Sequence, residues 1–128
     1  MIEWNWVRED AVVAAHDRQL AEHGGPAGLR NPGGLESALA RAPNLAVYGE
    51  PDAAALAAAY AAGIARNHPF VDGNKRTAWI AARLFLRINR FVLSFDHREA
   101  TKVMLALAAG EITEDEFARW LRLRIQDS

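Results

Sequence analysis

Apolar residues recur at helical spacing along most of the chain, and interruptions in that repeat divide it into about six segments. The first runs from about Asp10 to His23, with Val12, Val13 and Leu20 among its apolar residues, and is stopped by Gly24-Gly25-Pro26. A glycine- and proline-rich loop then leads through Asn31-Pro32-Gly33-Gly34 to a short second helix, Leu35 to Arg41. Pro43 is expected to end it, because proline has no N–H for the helical ladder. Between Asn44 and Glu50 the helical repeat lapses, and Leu45, Val47 and Tyr48 suit a short extended flap. A third helix is predicted from Pro51 to about Asn67. Its Leu56, Tyr60 and Ile64 fall at four-residue spacing, and the alanines between them let neighbouring helices approach closely.

The repeat breaks again at His68-Pro69, since the residue before a proline is pushed out of helical geometry. A fourth helix begins near Asn74 and continues to about Asn89. It carries Ala81, Leu84, Phe85 and Ile88 on one face, which makes it the expected central helix of the core. Arg76, Arg83, Arg87 and Arg90 fall on another stripe, the later three expected in solvent. Phe91 to Phe95 suits a brief extended segment. Asp96 with Glu99, and Thr113 with Glu116, have capping-box spacing and mark two further helices ending near Ala109 and Arg124. The fold class is therefore all-α, a compact bundle of about six helices with the short flap, expected as one domain over residues 1–128.

Composition narrows the chemistry. A chain of 128 residues can bury a real core, and without cysteine it has neither disulfides nor a thiolate metal site. The opening Met-Ile-Glu-Trp-Asn-Trp lacks a basic stretch followed by an apolar one, and no segment is long and apolar enough to span a membrane. The expectation is a soluble, cytoplasmic protein. The net charge of −1 conceals an asymmetry: from Arg66 to Lys102 there are eight Lys or Arg against three Asp or Glu, while both flanks are acidic. Such a local excess suits an anionic partner such as a nucleotide, and equally a solvated helix face. Nothing resembles a nucleic-acid-binding tail, so no DNA binding by this chain is expected.

The informative stretch is His68-Pro-Phe-Val-Asp-Gly-Asn-Lys-Arg76. A helix N-terminus leaves backbone N–H groups unpaired and carries partial positive charge, so it can hold phosphate oxygens. Gly73 lets the backbone come close, Asn74 opens the helix, and Lys75 and Arg76 add cationic donors. Asp72 at the rim is a candidate Mg²⁺ ligand, because that ion takes one or two carboxylates alongside phosphate oxygens and water. His68 is a candidate general base, since an imidazole titrates close to neutral pH. From spacing alone a structural reading stands beside this one: a turn, a helix cap and a surface Lys-Arg pair.

The same stretch, His68 to Thr77, resembles the signature of the Fic family, His-Pro-Phe, two variable residues, then Gly-Asn-Gly-Arg, two more and Arg. It departs at Lys75, where most Fic enzymes have glycine, and at Trp79, where they have arginine. Both departures are similar to the death-on-curing (Doc) toxin branch. The resemblance extends through Gly28-Leu-Arg-Asn31, Leu35-Glu-Ser-Ala-Leu-Ala-Arg41 and Leu84-Phe-Leu-Arg87. It implies that His68 is the catalytic base, Asp72 the acidic residue near Mg²⁺, and Gly73, Asn74, Lys75 and Arg76 the phosphate-binding run. Phe70 would be a core anchor, and Asn44 to Glu50 a flap that aligns a target segment beside the site. The implied activity is transfer of the terminal phosphate of ATP to a hydroxyl of a protein such as a translation elongation factor. The alternative is AMP transfer, as in most Fic enzymes. Lys75 favours phosphate transfer, because its side chain would fill the space glycine leaves for an α-phosphate and turn the nucleotide round.

His16 and His23 can share a helix face but have no nearby carboxylate pair. The family match gives His16 a structural hydrogen bond near the loop instead of a metal. Trp4, Trp6 and Trp120 have no assigned role beyond core or interface aromatics. Many Fic proteins carry an inhibitory helix with Ser or Thr followed four residues later by Glu. Here Ser37, Thr77, Ser94, Thr101 and Thr113 are followed at that distance by Arg41, Ala81, Arg98, Leu105 and Phe117. The resemblance therefore implies a separate protein antitoxin acting in trans by docking a helix near the site.

Overall fold

The computed structural model describes residues 3–127 and forms six helices with a two-stranded sheet. Helix α1 spans Glu9–His23, with Glu9 and Asp10 in its first turn, charges that suit the positive end of the helix dipole. Helix α2 spans Pro32–Tyr48. It starts where Asn31 caps the N–H of Gly34 at 2.9 Å and Pro32 takes the first turn. Helix α3, Ala53–Asn67, is capped by Asp52. Helix α4 spans Asn74–Ile88, strand β1 Phe91–Leu93, helix α5 His97–Ala109, helix α6 Glu114–Arg122 and strand β2 Ile125–Asp127.

The expected break at Pro43 is overturned: α2 runs straight through it, starting three residues earlier and ending seven later than its apolar spacing predicts. An interior proline costs about 3 kcal/mol. Leu35, Ala38 and Ala42 are fully buried, but all three precede Pro43; beyond it Asn44, Leu45, Val47 and Tyr48 are exposed, and the packing does not explain why the helix continues. The segment read as an extended flap, 44–50, is helical as far as Tyr48. It also lies at the wrong end of the molecule. Helices α2 and α3 run antiparallel, with Asn67 Nδ2 donating to Gly34 O at 3.0 Å and Arg41 Nη1 to Ala59 O at 3.1 Å. At 1.5 Å per residue this puts Val47 roughly 20–25 Å from the His68 end of the pair.

The centre of the bundle is α3, and the expectation that α4 holds it is corrected. Twelve residues of α3 are buried against seven of α4, two helices of equal length, and α3 packs on α2, α4, α5 and α6. A helix can be enclosed this fully only if its side chains are small. At its tightest crossing, a Cβ on Gly63 would stand 3.1 Å from the backbone and side chain of Ala38. Helix α4 packs one face on α3 and another on α1. Around Phe85 gather Trp4, Trp6 and Tyr60, with ring centroids 5.7, 6.0 and 5.4 Å away, so both N-terminal tryptophans are partly buried aromatics packed against the core. Asn89 holds the N-terminal segment there by exchanging hydrogen bonds with the backbone of Asn5. Arg83, Arg87 and Arg90 are exposed, as expected, Arg83 stacking over Trp79 and Phe95.

Of the two capping boxes, Thr113 and Glu116 form theirs completely. Asp96 accepts from Glu99 N, but the Glu99 carboxylate turns away to Trp120 Nε1 at 2.7 Å and to Arg124, so only half of that box exists. The extended segment at Phe91 is present as β1. Its antiparallel partner β2 lies where only the end of a helix was expected. Arg122, hydrogen-bonded to Asp52, holds that carboxyl below its usual range and ties α6 to the start of α3; this contribution is present above the ordinary aspartate pKa and is lost as pH falls through the depressed one.

The Gly63–Ala38 contact sets how closely α2 lies on α3. Gly63→Val should therefore destabilise the protein by about 1–3 kcal/mol, the usual cost of overpacking. This would appear as a lower urea midpoint with an unchanged slope.

Candidate functional site

The loop between α3 and α4 turns the chain in six residues, and three sets of contacts fix it. Asn74, 8% exposed, reaches back so that its Oδ1 accepts from Phe70 N at 3.0 Å and its Nδ2 donates to Phe70 O at 2.9 Å. Phe70 is buried and stacks on the ring of His16, with centroids 3.8 Å apart and planes within 10°. From α1 the buried His16 places Nε2 at 2.7 Å from the carbonyl oxygen of Asp72. A carbonyl can only accept, so Nε2 carries the proton. Phe70 is thus the core anchor, and His16 makes the structural hydrogen bond expected of it. On the other side, Arg30 and Asn31 donate their N–H groups to Pro69 O at 2.8 and 2.9 Å, and Val71 N donates to Gly28 O at 3.0 Å.

Held in this way, the loop presents His68, Asp72, Gly73, Lys75 and Arg76 around one open cavity of about 580 Å³. His68 terminates α3 in the left-handed region, at φ 46° and ψ 56°, with its side chain exposed. Asp72 is also exposed, its carboxylate over the α1–α2 loop, where a Cβ on Gly25 would come within 2.6 Å of Oδ2. Gly73 is the N-cap of α4, at φ 79°, and supplies no capping side chain. The N–H groups of Asn74, Lys75 and Arg76 in the first turn therefore open onto the cavity those residues line. An exposed carboxylate beside open N–H groups and two cations is a donor set that fits Mg²⁺ with a polyphosphate.

Asn74 differs from the other residues of the run. Its side chain is consumed in closing the loop, which leaves its backbone N–H to face an anion. Trp79 turns away from the cavity and packs edge-on against Phe95 at 5.1 Å and near Trp120 at 6.2 Å.

Sequence reasoning missed Gln19. It is 5% exposed and lies directly beneath Gly73, where any Cβ would fall 2.3 Å from its Oε1, an atom with no hydrogen-bond partner. The φ of 79° at position 73 favours glycine as well. The available signal was its position one helical turn after His16, on the same face of α1.

Residues 6–86, which contain the whole loop and the helices that carry it, match the Fic/DOC family. The chain is 36% identical over 117 residues to the protein of Escherichia phage P1 named Protein kinase doc, covering 91% of this chain and 92% of that one. It is 40% identical over 116 residues to the protein of Mycolicibacterium smegmatis named Toxin Doc, covering 87% and 85%. The His68–Arg76 loop, the helix pair that frames it and these two likenesses lead to one assignment: the chain belongs to the Fic/DOC family.

Proposed function

We propose that this chain is the toxin of a toxin–antitoxin pair, and that it transfers the terminal phosphate of ATP to a hydroxyl of a protein target, a translation elongation factor being the target class. The observation that carries the reading is Lys75, exposed on the first turn of α4 at the mouth of the cavity, where most Fic enzymes have glycine. A side chain there competes with an α-phosphate and favours a nucleotide turned so that its terminal phosphate meets His68. Trp79, committed to its aromatic cluster, supplies none of the donors that AMP transfer would draw from an arginine. The names of the two relatives, a kinase and a toxin, support the same reading.

In this mechanism His68 takes the proton of the target hydroxyl, and the oxygen attacks the terminal phosphorus. The bond from that phosphorus to the bridging oxygen breaks, leaving ADP and a phosphorylated target. The open N–H groups of α4 with Lys75 and Arg76 hold the phosphate oxygens, a preorganised arrangement that needs no rearrangement as charge develops. Asp72 would hold Mg²⁺, which neutralises phosphate charge when bound. A second reading, AMP transfer, rests on His68, Asp72, Gly73, Asn74 and Arg76, all of which the common Fic signature accommodates.

No inhibitory Ser/Thr-to-Glu run exists in the chain, so restraint would come from an antitoxin in trans. A groove of about 670 Å³ between α1 and α4 suits a docked helix. Ala11, Ala15, Ile80 and Leu84 give it an apolar lining, and it joins the anion cavity at Gln19, His23 and Arg76.

His68→Ala should reduce transfer by about 10²–10⁴-fold, the usual range for loss of a general base, while an exposed side chain costs the fold little. Near-parental modification of the target would remove His68 from this role. Lys75→Gly should sharply lower transfer of label from γ-labelled ATP, followed alongside α-labelled ATP on the same target. Undiminished γ-transfer would end the steering argument, and α-transfer by the parent would establish the AMP reading instead. Expression of the chain alone should arrest growth, and co-expression of a neighbouring small gene should relieve the arrest. Harmless expression of folded, active protein would count against a toxin.

A further inference from the structure

His68 sits in a backbone conformation that it does not hold by itself. At φ 46° and ψ 56° it is one of two non-glycine residues with positive φ among the described residues. L side chains enter that region at a cost. The next residue is Pro69, whose ring pushes the residue before it toward extended backbone. Relaxation toward ψ values of roughly +120 to +160° would rotate the His68 carbonyl and move the imidazole relative to the anion cavity.

Several contacts oppose this, and they meet at Arg30. His68 N–H donates to Ile64 O at 3.2 Å, which ends α3 but leaves ψ of His68 free. The N–H groups of Arg30 and Asn31 hold the next carbonyl, Pro69 O. The carbonyl of His68 itself, the atom whose direction ψ sets, accepts from Arg30 Nη2 at 2.9 Å. Arg30 therefore grips both carbonyls of the His68-Pro69 dipeptide, one through its backbone and one through its guanidinium. The guanidinium contact is charge-assisted, and the rest of the exposed fork stays hydrated. We infer that Arg30 is a positioning residue, which keeps the His68 imidazole at the anion cavity by locking the His68 carbonyl in its left-handed orientation.

The inference rests on the reading of His68 as the base, and one experiment separates the two. Arg30→Ala and Arg30→Lys are made in the full chain, and the Cα and carbonyl ¹³C shifts of His68, which report φ and ψ, are measured beside steady-state transfer from ATP. In Arg30→Ala the shifts should move away from left-handed values. Transfer should lose roughly 10- to 100-fold in kcat, the scale of a misplaced catalytic group, with KM for ATP changed by less than about twofold. Lysine, which keeps one cationic donor, should recover part of both. Unmoved His68 shifts in Arg30→Ala would overturn the inference even if activity fell, because Arg30 would then be acting on substrate directly. Displaced shifts with parental kcat would overturn it as well. Should the parent chain transfer nothing from ATP, that failure belongs to the phosphotransferase reading, and the His68 shifts alone decide the role of Arg30.

Discussion

The site depends on the reciprocal pairing of the Asn74 side chain with the backbone of Phe70. The chain must leave the end of α3 and enter α4 within six residues. In that span Phe70 is buried, so its N–H and carbonyl cannot turn to water. An unpaired buried peptide group costs about 1–3 kcal/mol. The carboxamide of Asn74 satisfies both groups at once, as a short piece of sheet would, and so fixes the first residue of α4 against the middle of the loop. Phe70, pinned between this clasp and the ring of His16, turns the loop into part of the core. The open N–H groups and the exposed His68 and Asp72 are placed from that point.

A second constraint lies in α3. Enclosing one helix on nearly all sides requires alanine and glycine where most helices carry leucine, and such a helix contributes little apolar area from each residue. The larger side chains come from its neighbours and from Leu56, Tyr60 and Ile64 within it. The close spacing has a functional consequence at the His68 end. Because α2 lies against α3 at Gly63 and Ala38, the residues that precede α2 are carried alongside the active loop, where Gly28 to Asn31 pair with Pro69 and Val71. The α1–α2 connection thereby becomes a wall of the site.

Much of this was legible in the sequence, and the failures have physical causes. The helix count, the break at His68-Pro69 and the start at Asn74 follow from short-range rules, and so does the completed box at Thr113. Phe70 and His16 came from the family resemblance, and the structure bears out the placement of both. What failed lay beyond the reach of such rules. Pro43 ends a helix by local rules, yet α2 runs on to Tyr48, an outcome that its buried residues, all before the proline, do not explain. The Glu99 side chain had a local partner in its cap and a distant one in Trp120 and Arg124, and the distant one won. The role of Arg30 was not legible for a related reason: its guanidinium reaches a carbonyl 38 residues along the chain, and no local pattern reports such a contact.

The two ends of the loop break the capping rules in opposite directions. A left-handed position at a helix C-terminus is normally filled by glycine, and here it is filled by His68. A helix N-cap is normally Ser, Thr, Asp or Asn, and at α4 it is Gly73. At position 68 the choice costs stability, whereas at position 73 the φ of 79° itself favours glycine over the usual caps. On the proposed mechanism, a side chain at position 73 would crowd the open N–H groups and displace Gln19, and glycine at position 68 would leave no imidazole. Such local violations persist only where the surroundings over-determine the backbone. Here His16 and Gln19 from α1, Asn74 from α4 and Arg30 from the α1–α2 connection surround the loop, and their convergence allows it to keep a conformation that its own sequence would not choose.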